Sequence, residues 1–225
     1  MYVLGIDTST EVCSAAVAND NGIISEYYLN AGYTHAEKLP GAVDFVLSQA
    51  GISLTELSCI STTTGPGSFT GLRIGLAFAK GLSVGADIPL TAVSTFESII
   101  YRIPVLSDEL VVLIRSRKGE YYRAVFEPEM SNWKLTGDYH VVSEGDILKN
   151  INLDSKILIT GIINYDLIEN IKMKNKMEAV FLHSSYLRAY AASTAEIGVK
   201  KYKTGETVKP ENLNPIYINK FLGIS

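Results

Sequence analysis

The order of apolar runs along the first hundred residues constrains the fold more than any other feature of the sequence. Three short runs rich in β-forming residues follow one another across polar turns, at Tyr2–Asp7, Val12–Ala18 and Ile23–Leu29. These runs predict three antiparallel strands. Two further strands, at 57–63 and 89–93, alternate with helical segments, which gives the order βββαβαβα. This order indicates an α/β fold in which helices cover a mixed sheet.

Two helices are predicted in this part of the chain. Thr34 and Glu37 have the spacing of a capping box, and Gly51 stands where a helix C-cap is expected. Pro40 leaves open whether this helix kinks or begins after a separate turn. The second helix, about Thr70–Val84, follows the turn at 65–67.

Pro104 interrupts the pattern, so we expect an N-terminal lobe at 1–103 and a smaller C-terminal lobe at 104–225. Within the second lobe the pattern predicts strands at 110–115, 121–126 and 157–160, a helix at 143–150, a long helix at 184–202 and an edge strand at 216–218.

Composition and charge exclude several classes of protein. The chain of 225 residues is 47% hydrophobic and 20% charged, which is not the composition of a disordered protein. The first 101 residues hold nine acidic and three basic side chains, which argues against nucleic acid binding by that lobe. Met1–Asp7 is typical of a first strand, not of a signal peptide, and no charge-free window is long enough to span a membrane. Cys13 and Cys59 indicate reduced core residues of a cytoplasmic protein.

The glycine-rich segment Gly65–Gly75 follows a strand and opens a helix. Backbone N–H groups at such a helix start attract anions, so the segment, together with the turn Asp7–Thr10, is a candidate phosphate site. The alternative is a tight turn before a helix that packs very closely. The glycines match neither the P-loop nor the dinucleotide-binding pattern.

The second helix is apolar on nearly all sides, and Gly71, Gly75 and Ala79 recur along it every four residues. We expect another subunit to cover this small-residue stripe, with burial under the second lobe as the alternative. The first interpretation predicts that Gly75→Leu or Ala79→Trp disrupts assembly while the chain stays folded.

The sequence offers no catalytic residues and no metal site. His35, His140 and His183 are far apart in the chain, and no two histidines have metal-ligand spacing on one helix. No nucleophile motif of the Gly-x-Ser-x-Gly type is present.

Four segments in order resemble the bacterial TsaB (YeaZ) family. They are Leu4–Thr10, His35–Pro40, Gly65–Gly75 and Val93–Glu97. The match is looser after residue 100.

The resemblance implies the two-lobe actin/hsp70/sugar-kinase (ASKHA) superfold, built on ribonuclease-H-like mixed sheets. It also implies a cytoplasmic role in forming N6-threonylcarbamoyladenosine at position 37 of tRNAs that read ANN codons. A TsaB-type chain is the non-catalytic partner of a TsaD-type transferase, and a TsaE-type protein is the third, ATP-binding component. The resemblance implies that the chain forms a homodimer when alone and meets tRNA through the complex. ATP or ADP and metal are then expected in the partner subunits, with no cofactor tightly bound to this chain.

The family's partner face lies on the two helices. The corresponding residues here are Leu39, Val43, Leu47, Gly71, Leu72, Gly75, Leu76 and Ala79. TsaD proteins hold their metal with a His-x-x-x-His pair, whereas His35 is followed by Leu39 at that spacing. Many relatives carry an aspartate where this chain has Arg115, which cannot ligate a metal but can contact a phosphate.

Residues for a phosphate or nucleotide at the partner interface are therefore Asp7, Thr8, Ser9, Gly67, Ser68 and Arg115. A small ATP-dependent phosphotransferase or ATPase of the same superfold stays open as the alternative function.

Overall fold

The computed structural model describes residues 1–30, 32, 34–117, 119–149, 156–162, 167–169, 180–181, 190–216 and 218. The chain divides into two compact units. The first comprises Met1–Tyr101 with Ala189–Ile216, and the second comprises Arg102–Arg188 with Tyr217–Ser225.

The first unit is built on a five-stranded mixed sheet. Its strands are β1 (Tyr2–Asp7), β2 (Val12–Asn19), β3 (Gly22–Asn30), β4 (Leu57–Gly65) and β5 (Leu90–Ser94). They lie in the order β3-β2-β1-β4-β5, with β2 antiparallel to β1 and β3. Strand β4 runs parallel to β1 and β5. The predicted antiparallel strands, the mixed sheet and the βββαβαβα order are confirmed.

Helices cover both faces of this sheet. They are α1 (His35–Ala50), α2 (Phe69–Ala86), α3 (Thr95–Ile100) and α4 (Ala191–Lys203). Helices α1 and α2 share one core with apolar side chains of the sheet such as Leu4, Ile6 and Ile60. Helix α4 packs on side chains that point to the opposite face, among them Val3 and Cys59.

The start of α1 differs from the prediction. Pro40 lies inside one continuous helix that begins at His35, so neither a separate turn nor a start near Leu39 is found. Thr34 is the N-cap residue, but its side chain makes no capping hydrogen bond, so the predicted capping box does not form. Gly51 adopts the left-handed conformation of a C-cap, as predicted.

Helix α4 belongs to the first unit, whereas the sequence placed it in the lobe 104–225. A Cβ atom on Gly5 of β1 would overlap the backbone carbonyl oxygen of Ala191, so α4 approaches the sheet as closely as backbone atoms allow. The Ser61 hydroxyl donates to the carbonyl of Thr194 at 2.7 Å. The prediction was wrong because the sequence of a helix does not show that the chain has returned to a sheet formed much earlier.

The second unit contains six strands in its described residues. They are β6 (Glu109–Arg115), β7 (Glu120–Glu129), β8 (Asn132–Leu135), β9 (His140–Ser143), β10 (Ile157–Ile162) and β11 (Val180–Phe181). The order is β11-β10-β6-β7-β8, and β9 also pairs with β7. The strands predicted at 110–115, 121–126 and 157–160 are confirmed.

Three predictions for the second half need correction. The helix at 143–150 is wrong, because β9 ends at Ser143 and a single 3-10 turn, Glu144–Asp146, follows. The long helix begins at Ala191 rather than 184, and residues 182–189 lie outside the described part. Ile216 donates its N–H to Thr64 of β4 without forming the expected strand, and Tyr217 lies outside the described residues. Within the described part, no helix is long and apolar enough to cross a membrane.

Candidate functional site

Asp7 ends β1 with its side chain buried in the first unit. Ser9 donates its backbone N–H and its hydroxyl to Oδ1 of Asp7, at 2.9 and 2.8 Å. Oδ2 is buried without a hydrogen-bond partner among the described residues, and so is the hydroxyl oxygen of Thr63. Burial raises the pKa of the Asp7 carboxyl to about 6, against the opposing effects of the Ser9 hydrogen bonds and of the nearby Thr63 side chain. The site therefore favours the neutral carboxyl group more than water does, although with this pKa the group is still mostly ionised at pH 7.

The turn after Asp7 packs directly into the glycine-rich segment. The Thr8 hydroxyl donates to the carbonyl of Gly71 at 2.7 Å, and the N–H of Ser68 donates to the carbonyl of Ser9 at 2.7 Å. A Cβ atom on Gly67 would overlap the Ser9 carbonyl oxygen, and one on Gly71 would overlap that of Thr8. The space expected to cradle a phosphate is thus filled by the chain's own backbone. These glycines permit close packing, which was the alternative interpretation of the segment.

The structure brings together five of the six residues expected at the phosphate contact. Asp7, Thr8, Ser9, Gly67 and Ser68 form one contiguous cluster in the first unit. Arg115 belongs to the second unit, where it ends β6 with an exposed side chain. No group of three or more His, Cys, Asp or Glu side chains in the described part of the chain is placed to hold a metal ion.

Replacing Asp7 by asparagine is expected to stabilise the protein at alkaline pH. The folded-state pKa lies above the ordinary value of 3.8, so the carboxyl group's favourable contribution is complete below about pH 4 and is lost as the pH rises through 6. The shift corresponds to up to about 3 kcal/mol. Asparagine keeps the acceptor for Ser9 and removes the buried charge, and its amide can donate to Thr63.

Urea unfolding of wild type and Asp7→Asn at about pH 5 and about pH 8 measures this effect, which should be larger at the higher pH. A variant that is less stable than wild type at the higher pH would show that the carboxylate has a partner that it needs.

The prediction that eight residues of α1 and α2 form an exposed partner face is wrong. All eight side chains or backbone positions are buried within the first unit: Leu39, Val43, Leu47, Gly71, Leu72, Gly75, Leu76 and Ala79. A Cβ atom added to Gly75 would overlap the hydroxyl oxygen of Thr8. The small-residue stripe therefore lets α2 approach β1 and the turn that follows it, and its packing is intramolecular.

A second small-residue stripe lies on the exposed side of α2, about 120° around the helix axis from the first. It consists of Ala77, Gly81 and Gly85, again four residues apart and all exposed. At 100° per residue these three share one side of the helix with Ile74 and Val84, and we call the five residues the outer α2 face. Val84 is 71% exposed, and a Cβ atom on Gly81 or Gly85 would meet no atom within 4 Å.

Sequence reasoning missed the outer α2 face although the signal was present. Both stripes have the same four-residue spacing, and only the packing of Thr8 shows which one points inward. The five residues of the outer α2 face carry no charge, whereas Arg73 and Lys80 lie along its margin. The Arg73 guanidinium lies 3.7 Å from the ring centre of Phe69. An uncharged, apolar helix side of this kind is suited to contact with another protein.

Comparison with known proteins places the chain in a family. The family model TsaD, described as tRNA N6-adenosine threonylcarbamoyltransferase, matches residues 12–218. The tRNA threonylcarbamoyladenosine biosynthesis protein TsaB of Escherichia coli is 28% identical over 221 residues, which cover 97% of this chain and 94% of that protein. The TsaB protein of Bacillus subtilis is 31% identical over 127 residues, 56% of each chain.

Solved structures agree with the sequence relatives. A Pseudomonas aeruginosa protein described as similar to the peptidase YEAZ superposes with a TM-score of 0.83 at 25% identity, covering 97% of this chain and 99% of that one. The expected ASKHA fold class is confirmed. The family model matches residues 12–218, and the Escherichia coli TsaB protein aligns with 97% of this chain. This chain therefore belongs to the TsaD family and, within it, to the TsaB (YeaZ) group.

Proposed function

We propose that this chain is the non-catalytic partner subunit of a TsaD-type transferase in the cytoplasmic complex that forms N6-threonylcarbamoyladenosine at position 37 of tRNAs reading ANN codons. The relatives from Escherichia coli and Bacillus subtilis are biosynthesis proteins for this modification. The match to TsaD-type transferases themselves, 30% identity over 171 residues in Caldicellulosiruptor bescii, indicates a common frame for the two subunits.

The observation that carries the proposal is the outer α2 face. Glycine inside a helix costs about 1 kcal/mol relative to alanine. Gly71 and Gly75 are explained by the contact with Thr8, but Gly81 and Gly85 have open space around them. Close approach of a partner helix accounts for two glycines that no contact within the described chain requires. We propose that this face binds the TsaD-type subunit, and that it pairs with a second copy when the chain is alone.

The absence of catalysis is part of the proposal. The Asp7 turn and the glycine-rich segment pack against each other, so their backbone atoms occupy the space in which a phosphate would be cradled. The position four residues after His35 is Leu39, so the histidine pair with which TsaD proteins bind metal is incomplete. We therefore assign nucleotide and metal to the TsaD-type and TsaE-type subunits, with tRNA contacted through the assembled complex.

Substitution at Gly81 tests the docking surface. Gly81→Leu places a bulky side chain on the outer α2 face without touching the core, so the chain should stay folded and lose its stoichiometric complex with a TsaD-type protein at micromolar concentration. Gly81→Ala is the matched control, because it adds about 1 kcal/mol of helix stability and keeps the surface nearly flat. Size-exclusion chromatography reads out the complex, and circular dichroism reads out the fold.

Two outcomes count against the proposal in different ways. Co-elution of Gly81→Leu at the wild-type level would show that the outer α2 face is not the docking surface. Failure of the folded wild-type chain to associate with the TsaD-type protein at all would remove the proposed function itself.

A further inference from the structure

The three residues after Asp7 connect helices α1 and α2 to the end of β1. Thr8 and Ser9 hold the start of α2 through the hydrogen bonds to Gly71 and Ser68. The carbonyl of Thr10 accepts from Nε2 of His35, the first residue of α1, at 2.9 Å. One short turn thus fixes where two separate helices begin. We call residues 8–10 the connecting turn.

His35 is placed unusually for a residue at a helix start. Its ring is only 3% exposed, and with Nε2 donating to Thr10 the proton is absent from Nδ1. Nδ1 is buried and has no hydrogen-bond partner among the described residues. The ring therefore makes one directional contact, and that contact joins α1 to the connecting turn.

We infer that His35 is a positioning residue for partner binding: by fastening α1 to the turn that also holds α2, it fixes the arrangement of the two helices behind the outer α2 face. Helices α1 and α2 pack on the same face of the sheet within one apolar core, so a shift at the start of α1 is transmitted to its neighbour. The inference rests on the proposed docking function and adds a residue that lies away from the docking surface.

The chemistry of the ring gives this link a pH dependence. Burial lowers the pKa of His35, and the contact with Thr10 opposes the shift. Protonation would strengthen the donation from Nε2 to Thr10, but it also places a charge in a buried site and a hydrogen on Nδ1, which has no partner among the described residues. The cost of burying that charge favours opening of the start of α1, so acid loosens the attachment of α1 to the connecting turn. The other titratable groups on these elements are Asp7 and Glu11 beside the connecting turn, Glu37 and Lys38 in the first turn of α1, and Arg73 at the start of α2. Of these, Asp7 titrates in the same range, so Asp7→Asn is the background for the pH measurements.

Two variants separate positioning from simple packing. His35→Leu fills the space and leaves the Thr10 carbonyl without its donor, whereas the side-chain amide of His35→Gln can donate from nearly the position of Nε2 and does not titrate. We expect His35→Leu to weaken binding to the TsaD-type protein by about tenfold. His35→Gln should restore most of the affinity. In the Asp7→Asn background, the affinity should fall between about pH 7.5 and about pH 5.5 when His35 is present, and the fall should be absent when His35→Gln is added.

Hydrogen exchange on the wild-type chain provides a measurement that needs no substitution at His35. The amides of Glu37 and Lys38, which donate to the carbonyl of Thr34 at the start of α1, should lose protection on acidification after correction for intrinsic exchange, while those of β4 should not. Equal affinity of wild type and a folded His35→Leu, or a pH profile unchanged in His35→Gln, would overturn the inference. Because each of these outcomes presupposes measurable wild-type binding, they differ from a failure of the proposed function, in which wild type does not bind.

Discussion

Gly75→Leu is expected to destabilise the folded chain strongly and not merely to dissociate its assembly. Gly75 faces the Thr8 hydroxyl, which is buried and already donates to Gly71, so an added side chain must displace the connecting turn or the helix. Overpacking against such a site costs about 3 kcal/mol or more. Thermal unfolding followed by circular dichroism measures the loss.

The matched control for this substitution is Gly81→Leu on the other side of the same helix, where no neighbouring atom is displaced. Its melting temperature should stay at or above that of wild type, because leucine is a better helix former than glycine. The sequence-based expectation was the reverse for Gly75→Leu, a folded chain that fails to assemble. If that result is found, the inward packing of α2 is wrong.

A chain truncated after residue 103 is expected to remain unfolded. The truncation removes α4, which covers the face of the sheet formed by Val3, Ala16, Ala18 and Cys59. Burial contributes roughly 0.8 kcal/mol for each CH₂ group, so exposing these four side chains alone costs on the order of 5 kcal/mol, which is comparable with the whole stability of a small domain. The hydroxyl of Ser61 loses its acceptor, and Gly5 loses the α4 backbone that packs against it.

Adding a peptide that spans residues 190–216 provides the complementary measurement. The peptide should restore cooperative unfolding to the fragment, because it supplies α4 and the segment whose Val208 donates to the carbonyl of Leu90 at the edge of the sheet. A fragment 1–103 that folds cooperatively without the peptide would contradict the assignment of α4 to the first unit.

The sequence predicted the first unit well because its signals are local. The first three strands, beginning with Tyr2–Asp7, are rich in residues that favour strands. Gly51 is a residue type that commonly ends a helix, and it ends α1 here. Neighbouring residues alone therefore determine these elements. The second unit was harder. Strands β8 and β9 have only four residues each. The alternation in β8, where Trp133 and Leu135 are less exposed than their neighbours, is too short to identify a strand, and β9 has no alternation.

The candidate site shows where sequence reasoning fails for a physical reason. The glycines at 67 and 71 have the composition of an anion-binding loop and of a close-packed turn alike, and only the position of the Ser9 and Thr8 carbonyls distinguishes the two. The two stripes of α2 are likewise equivalent in spacing. The link between His35 and Thr10 joins residues 25 positions apart through a backbone atom, which leaves no trace in side-chain composition.

The central claim is that this chain supports another enzyme and does no chemistry with its own Asp7 turn. Modification of tRNA in a mixture of the TsaD-type and TsaE-type proteins, with threonylcarbamoyl-AMP supplied, measures it most directly. We predict that the modified nucleoside forms only when this chain is added, and that Asp7→Asn supports the same rate as wild type. Modification at an equal rate without the chain, or a rate that collapses with a folded Asp7→Asn, would contradict the account.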